Sequence, residues 1–234
     1  MSIIKKSRKS ATDEEENVFW VTMTDLLLGL TMVFMTLFVL AMTGFTQQKL
    51  QQQATQSEVA KELSKNMQEQ KIDVQVDKLT GQVKISDLEL FDLNSYVLSS
   101  RGKAYLNKFI PIYVNTIFSN PKLSDKITNV VIQGHTDSQT YSGISSKEQQ
   151  FAKNMDLSLR RANAVAEYLF ITAYNRKYTD KLTKTLVVEG KSYTDPVMTN
   201  GKEDYTKSRR VELKLIVKEA NIQDMLVKPK QIAK

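Results

Sequence analysis

The stretch that decides the fold reads Asn129-Val130-Val131-Ile132-Gln133-Gly134-His135-Thr136-Asp137, and resumes after a loop as Asn154-Met155-Asp156-Leu157-Ser158-Leu159-Arg160-Arg161-Ala162. Asn129 to Gln133 is an uncharged, β-branched run of strand length, and Gly134 to Asp137 is a polar turn. Leu157 to Tyr174 then has helical spacing, with Leu159, Ala162, Val165, Ala166 and Leu169 facing inward. Upstream, Leu106, Phe109, Ile110, Tyr113, Val114 and Ile117 mark a second helix, capped by Ser99 or Ser100, with a kink or early break expected at Pro111. Before it, Ile72, Val74 and Val76 alternate, a turn follows at Lys78 to Gly81, and Val83, Ile85, Leu88 and Leu90 resume the alternation, predicting a hairpin. Downstream, Leu186 to Glu189 and Val211 to Val217 read as two more strands. Helices alternating with strands in this way predict an α+β fold, a mixed sheet with helices packed on one face.

Toward the amino end, Asn17 to Gln48 contains a single charged side chain, Asp25. Leu26 to Phe45 is long enough to cross ~30 Å of hydrocarbon as a helix. A cleaved signal peptide is the competing reading, disfavoured because Asp13 to Glu16 separate the basic residues from an overlong apolar run. Lys5, Lys6, Arg8 and Lys9 place the amino end in the cytoplasm and the chain beyond the span outside, with Phe19 and Trp20 as interface anchors. The expected location is therefore the inner membrane, single-pass, with a periplasmic carboxy-terminal domain. Asp25 shares a narrow stripe with Thr22, Gly29, Met32, Thr36 and Thr43. Such a seam predicts helix–helix packing with Asp25 among protein neighbours; the alternative is a carboxylate near the interface that snorkels to water.

Residues 46–70 are glutamine-rich, without Gly or Pro, and carry only the thin apolar series Leu50, Ala54, Val59, Leu63 and Met67. As a helix they span about 37 Å. They read as a solvated spacer, with a weak coiled-coil seam as the alternative. The expected division is a cytoplasmic tail 1–17, a transmembrane helix 18–45, a helical tether 46–70, a globular domain 71–218 and a carboxy-terminal tail 219–234.

There is no cysteine and one histidine, His135. Thiolate and histidine-rich metal sites are excluded, and no serine is placed as a nucleophile, so no metal, no cofactor and no catalysis are expected. The net charge of +7 arises from a neutral stretch 1–24, Asp25, and a surplus of eight positive charges after it. Those basic residues are scattered and not interleaved with aromatics, which argues against nucleic acid and for anionic wall polymers.

The Gly134-His135-Thr136-Asp137 turn, the helix start from Asn154 to Ala162 and the later Ser208-Arg209-Arg210-Val211-Glu212 resemble, in that order, the OmpA-like peptidoglycan-binding domain. That resemblance implies an OmpA-like α/β sandwich in which Asp137 and Arg161 clasp the amino and carboxylate groups of a diaminopimelate-type residue in the wall's stem peptide, supported by Asn154, Leu157 and Thr136. A carboxylate and a bidentate guanidinium suit a zwitterionic head. The competing reading has Asp137 capping its turn and Arg161 pairing with Asp156 or Glu167 on the helix surface. The chain departs from the family in a longer loop between Asp137 and Asn154, and in having no second glycine at Gly190-Lys191-Ser192-Tyr193.

Joined to one membrane helix with Trp20 five residues before Asp25, this domain resembles the B subunits of ion-driven rotary motors, of the MotB and ZorB types. The resemblance implies that Asp25 binds and releases the translocated cation; H⁺ is the expectation, with Na⁺ the alternative, since a carboxylate with threonines near it serves either ion. Two copies of the chain would then sit within five copies of a polytopic MotA- or ZorA-like partner. The short glutamine-rich region and the stretch Phe91 to Tyr96 are more similar to the ZorB type, which serves Zorya anti-phage defence. The alternatives are a flagellar stator subunit and a passive membrane-to-wall tether without ion flow.

Overall fold

The computed structural model describes residues 3–218, with side chains from Val18 onward except that of Lys122; the expected tail 219–234 lies outside the described residues. The chain divides into two compact units, one ending at Leu50 and one beginning at Gln51. Helix α1 (Ile3–Glu69) contributes to both. In the first unit, the large apolar side chains from Val18 to Phe45 are all exposed on the isolated chain. This is the one helix among the described residues long and apolar enough to cross a membrane. Its threonines satisfy their own hydroxyls: Thr22 donates to the Val18 carbonyl at 2.6 Å, Thr36 to Val33 at 2.8 Å and Thr43 to Leu40 at 2.9 Å. Asp25 has neither a hydrogen bond nor an ion pair among the described residues, so it is the polar group of the stripe that the helix itself leaves unserved.

In the second unit, β1 (Gln75–Val76) and β2 (Val83–Ser86) form the expected hairpin. Four residues follow as helix α2 (Asp87–Leu90), where alternation had extended the strand to Leu90. Helix α3 (Ser100–Ser119) is capped by Ser99 and continues through Pro111, because Phe109, Ile110, Tyr113 and Val114 are all buried on either side of it. Helix α4 (Pro121–Ser124), strand β3 (Ile127–His135) and helix α5 (Lys147–Ile171) come next. Then come α6 (Thr179–Thr185), β4 (Leu186–Gly190), the small ribbon β5 (Met198–Thr199) and β6 (Lys202–Glu203), α7 (Tyr205–Ser208) and β7 (Arg210–Val217).

The five-stranded sheet has the order β1-β2-β7-β3-β4, with β3 and β4 parallel and the other pairs antiparallel. Period-two alternation sorts its faces. Val83, Ile85, Val130, Ile132, Val211, Leu213 and Leu215 point into the helix-covered core, whereas Lys84, Gln133, His135, Glu212 and Lys214 lie on the opposite, polar face. The mixed sheet with helices on one face is thus as the sequence predicts.

Two expectations are corrected. Residues 46–69 are helical, but the second half of the expected tether belongs to the domain: Val59, Leu63 and Met67 are no more than 1% exposed and join the same core as α3. Asn66 Nδ2 donates to Thr116 Oγ1 of α3 at 2.8 Å. Spacings of four residues keep these side chains on one helical face, and a stripe that looks sparse suffices when α3 and the hairpin supply the rest of the core. Leu159, expected inward, is 45% exposed; α5 begins at Lys147, and Ser158 and Arg161 take the buried positions instead.

Candidate peptide-binding cleft

Strand register assembles the site. Ser86, Arg210 and His135 are cross-strand partners on β2, β7 and β3. One residue further along, Asp87 and Arg209 emerge side by side, with Asp87 N donating to the Arg209 carbonyl at 3.1 Å. Asp137 leaves the end of β3 beside them and ion-pairs with Arg209 Nη1. Helix α5 approaches closely at this end of the sheet: a Cβ on Gly134 would overlap the Ser158 carbonyl, and one on Gly190 would lie 2.8 Å from Ser158 Oγ. That close approach brings Arg161, three residues along α5, over the strand ends.

The result is a cleft of about 210 Å³ lined by Thr136, Asp137, Asn154, Leu157 and Arg161, all five predicted residues, together with Arg209. Arg161 is 2% exposed. Its Nε donates to the Ser95 carbonyl at 2.9 Å, its Nη2 ion-pairs with Asp87 Oδ2 at 3.1 Å, and its charged face lies 5.5 Å from the Phe91 ring. Nη1 is buried and has no hydrogen-bond partner, as is true of Thr136 Oγ1. A buried guanidinium held by one edge with a nitrogen unserved is poised to take a carboxylate. Burial pulls the Arg161 charge down from its ordinary stability, and the Asp87 charge acts against that. Asp87 itself is pushed up to about 6 by burial, with Arg161 and Arg209 opposing and Asp137 adding to the rise.

The surface-pair alternative for Arg161 is not what forms: Asp156 pairs with Arg160, Nε to Oδ2 at 2.8 Å, and Glu167 accepts from Asn163. Asp137 does order its turn in part, accepting from Gln139 N at 3.2 Å on Oδ1. Sequence reasoning missed Asp87, hidden inside an apparently alternating strand, and Arg209, which stood within the quoted arginine motif.

His135 faces the polar side of the sheet and not the cleft. Its Nε2 lies 3.0 Å from Gln133 Oε1 and 3.3 Å from Glu212 Oε2. Burial pulls the His135 imidazole down; burial pushes Glu212 up, but hydrogen bonds and charge from His135 and Arg210 outweigh this and hold it below the carboxylate range. His135, Asp195 and Glu212 converge, yet Arg210 fills the space between the carboxylates, with Nε 2.6 Å from Glu212 and Nη2 2.9 Å from Asp195. The turn at Thr136 is instead fixed by Ser192, whose carbonyl accepts from Thr136 N at 2.9 Å. Ser192, within the run that has no second glycine, has φ +53°, a left-handed backbone that glycine adopts more readily. It is held there by its N–H donating to Ser158 Oγ and its hydroxyl donating to the Phe151 carbonyl.

Residues 90–210 match the OmpA family. The protein ZorB of the Zorya system from Escherichia coli (Crooks strain) is 30% identical over 216 residues, covering 87% of this chain and 89% of the relative. The chain is a ZorB-type member of the OmpA family. A second ZorB, from Escherichia coli O139:H28, is 22% identical over 89% of this chain and 84% of its own length. A crystal structure of a MotB-like protein from Desulfovibrio vulgaris shares the fold of this ZorB-type chain, with a TM-score of 0.51 at 17% identity over 74% of this chain and 96% of that one.

Proposed function

We propose that this chain is the B subunit of an ion-driven membrane motor of the Zorya type, in which Asp25 carries the translocated cation, H⁺, and the carboxy-terminal domain anchors the complex to peptidoglycan. The observation that carries the wall-binding half is the cleft of about 210 Å³ lined by one carboxylate, Asp137, and two guanidinium groups, Arg209 and Arg161, with Asp87, outside the lining, ion-paired to Arg161. Arg161 Nη1 takes the carboxylate of a diaminopimelate-type head, and Asp137 takes its ammonium, sharing that charge with Arg209. Asn154 and Leu157 line the path of the aliphatic chain. The chain acts by binding and ion transfer, not catalysis. On this reading the amino end is cytoplasmic, the domain is periplasmic, and two copies of the chain sit inside five copies of a polytopic ZorA-like partner, with the Asp25 stripe packed on neighbouring helices that supply what Asp25 lacks within its own.

The test is phage plating on cells carrying the full system with Asp25→Asn. Protection is lost while the variant still inserts and co-purifies with its partner. Protection retained by Asp25→Asn contradicts ion transfer and leaves a passive tether.

A further inference from the structure

The loop that lengthens this chain between Asp137 and Asn154 is a built wall of the cleft. Gln150, 5% exposed on the first turn of α5, clamps it with both ends of one amide: Oε1 accepts from Tyr141 N at 3.1 Å, and Nε2 donates to the Gln139 carbonyl. The base of the loop is fixed to β6, where Ser138 donates from N and Oγ to the Glu203 carboxylate. Lys153 Nζ lies 4.3 Å from the centre of the Tyr141 ring and covers one face of it. A buried glutamine whose amide is satisfied at both ends by one loop fixes the position of that loop.

What the clamp presents is a half-buried phenol that lines the same cleft as Asp137 and Arg161. The Tyr141 hydroxyl donates to Asn154 Oδ1 at 3.4 Å, and the Asn154 amide is turned that way because its Nδ2 donates to the Gln150 carbonyl at 3.1 Å. With its proton directed to Asn154, the phenol oxygen keeps its lone pairs for an incoming donor. We propose that Tyr141, positioned by Gln150, is a further ligand-contacting residue of this cleft, its oxygen accepting a hydrogen from the ammonium group that Asp137 clasps. The inference rests on the wall-binding reading and adds a contact that the motif positions do not contain. Burial pushes the phenol up from its ordinary value, so it remains a neutral donor and acceptor at working pH.

The experiment is calorimetric titration of the full chain in detergent micelles with meso-diaminopimelate and with pimelate, which has the same chain and carboxylates but no ammonium. Wild type binds diaminopimelate more tightly than pimelate. Tyr141→Phe, which keeps the ring, weakens diaminopimelate binding roughly five- to tenfold and leaves pimelate binding unchanged. Gln150→Leu produces the same selective loss, and the double variant loses no more than either single one, as expected for a residue acting through Tyr141. Tyr141→Phe binding diaminopimelate like wild type, or losing both ligands equally, overturns the inference and leaves the clasp standing. Failure of the wild type to bind diaminopimelate overturns the clasp, and this inference with it.

Discussion

Arg161 of α5 and Asp87, the first residue of α2, form an ion pair, Nη2 to Oδ2 at 3.1 Å, with both side chains 2% exposed. Neither carboxylate oxygen of Asp87 has a hydrogen bond. Arg209 Nε lies farther from the same oxygen, at 4.0 Å, so Arg161 is the nearer cation, and the pair orients its guanidinium while leaving Nη1 without a partner.

Removing that partner strands a buried cation. Asp87→Leu, which leaves Arg161 neither a charge nor an acceptor at that position, is expected to destabilise the domain by about 3 kcal/mol or more, measured by denaturant unfolding followed by near-ultraviolet circular dichroism. Wall binding falls as well, since Arg161 loses its orientation.

The same pair sets a pH signature. With its folded value near 6 against 3.8 for the ordinary carboxyl, Asp87 holds a proton in the folded state that the unfolded chain has released. Its stabilising contribution is complete below 3.8 and disappears as the pH rises through 6. The stability difference between wild type and Asp87→Asn should therefore shift in favour of the variant between those limits and level off above them. Unfolding curves at intervals of pH from 3.5 to 7 check this; a difference independent of pH contradicts it.

Docking of α1 on the domain gives a third expectation. Leu63 is fully buried, so Leu63→Ala should cost about 2–5 kcal/mol of domain stability, whereas Leu50→Ala, 59% exposed, should cost almost nothing. Equal, negligible effects would restore the solvated spacer.

Close approach of α5 to β3 gives a fourth. A methyl group on Gly134 meets the Ser158 carbonyl, and backbone cannot yield as a flexible side chain can. Gly134→Ala is expected to lower stability by about 1–3 kcal/mol or more and, because α5 carries Arg161, to weaken wall binding. Thermal unfolding and binding of the one variant read both effects.

Much of this was legible in the residues. The three motifs located Asp137, Arg161, Asn154, Leu157 and Thr136, and the structure brings all five to one cleft because strand register and a glycine contact leave little freedom there. Asp87 was not legible: Leu88 and Leu90 continue a period-two pattern, and periodicity over four residues does not separate a strand from one helical turn. The docked half of α1 was missed for a related reason, since burial of Val59, Leu63 and Met67 depends on α3, which no local pattern reveals. Tyr141 carries no motif at all, and its place is set by contacts distant from any motif reading, the amide of Gln150 and the side chains of Asn154 and Lys153.

The most direct measurement of the account is co-sedimentation of the full chain in detergent with purified peptidoglycan sacculi, comparing wild type with Asp137→Asn and Arg161→Lys. Each variant preserves size or charge while removing the negative charge or the bidentate fork. The account predicts that wild type sediments with the sacculi and that both variants bind at least tenfold more weakly. Undiminished binding by both would contradict it.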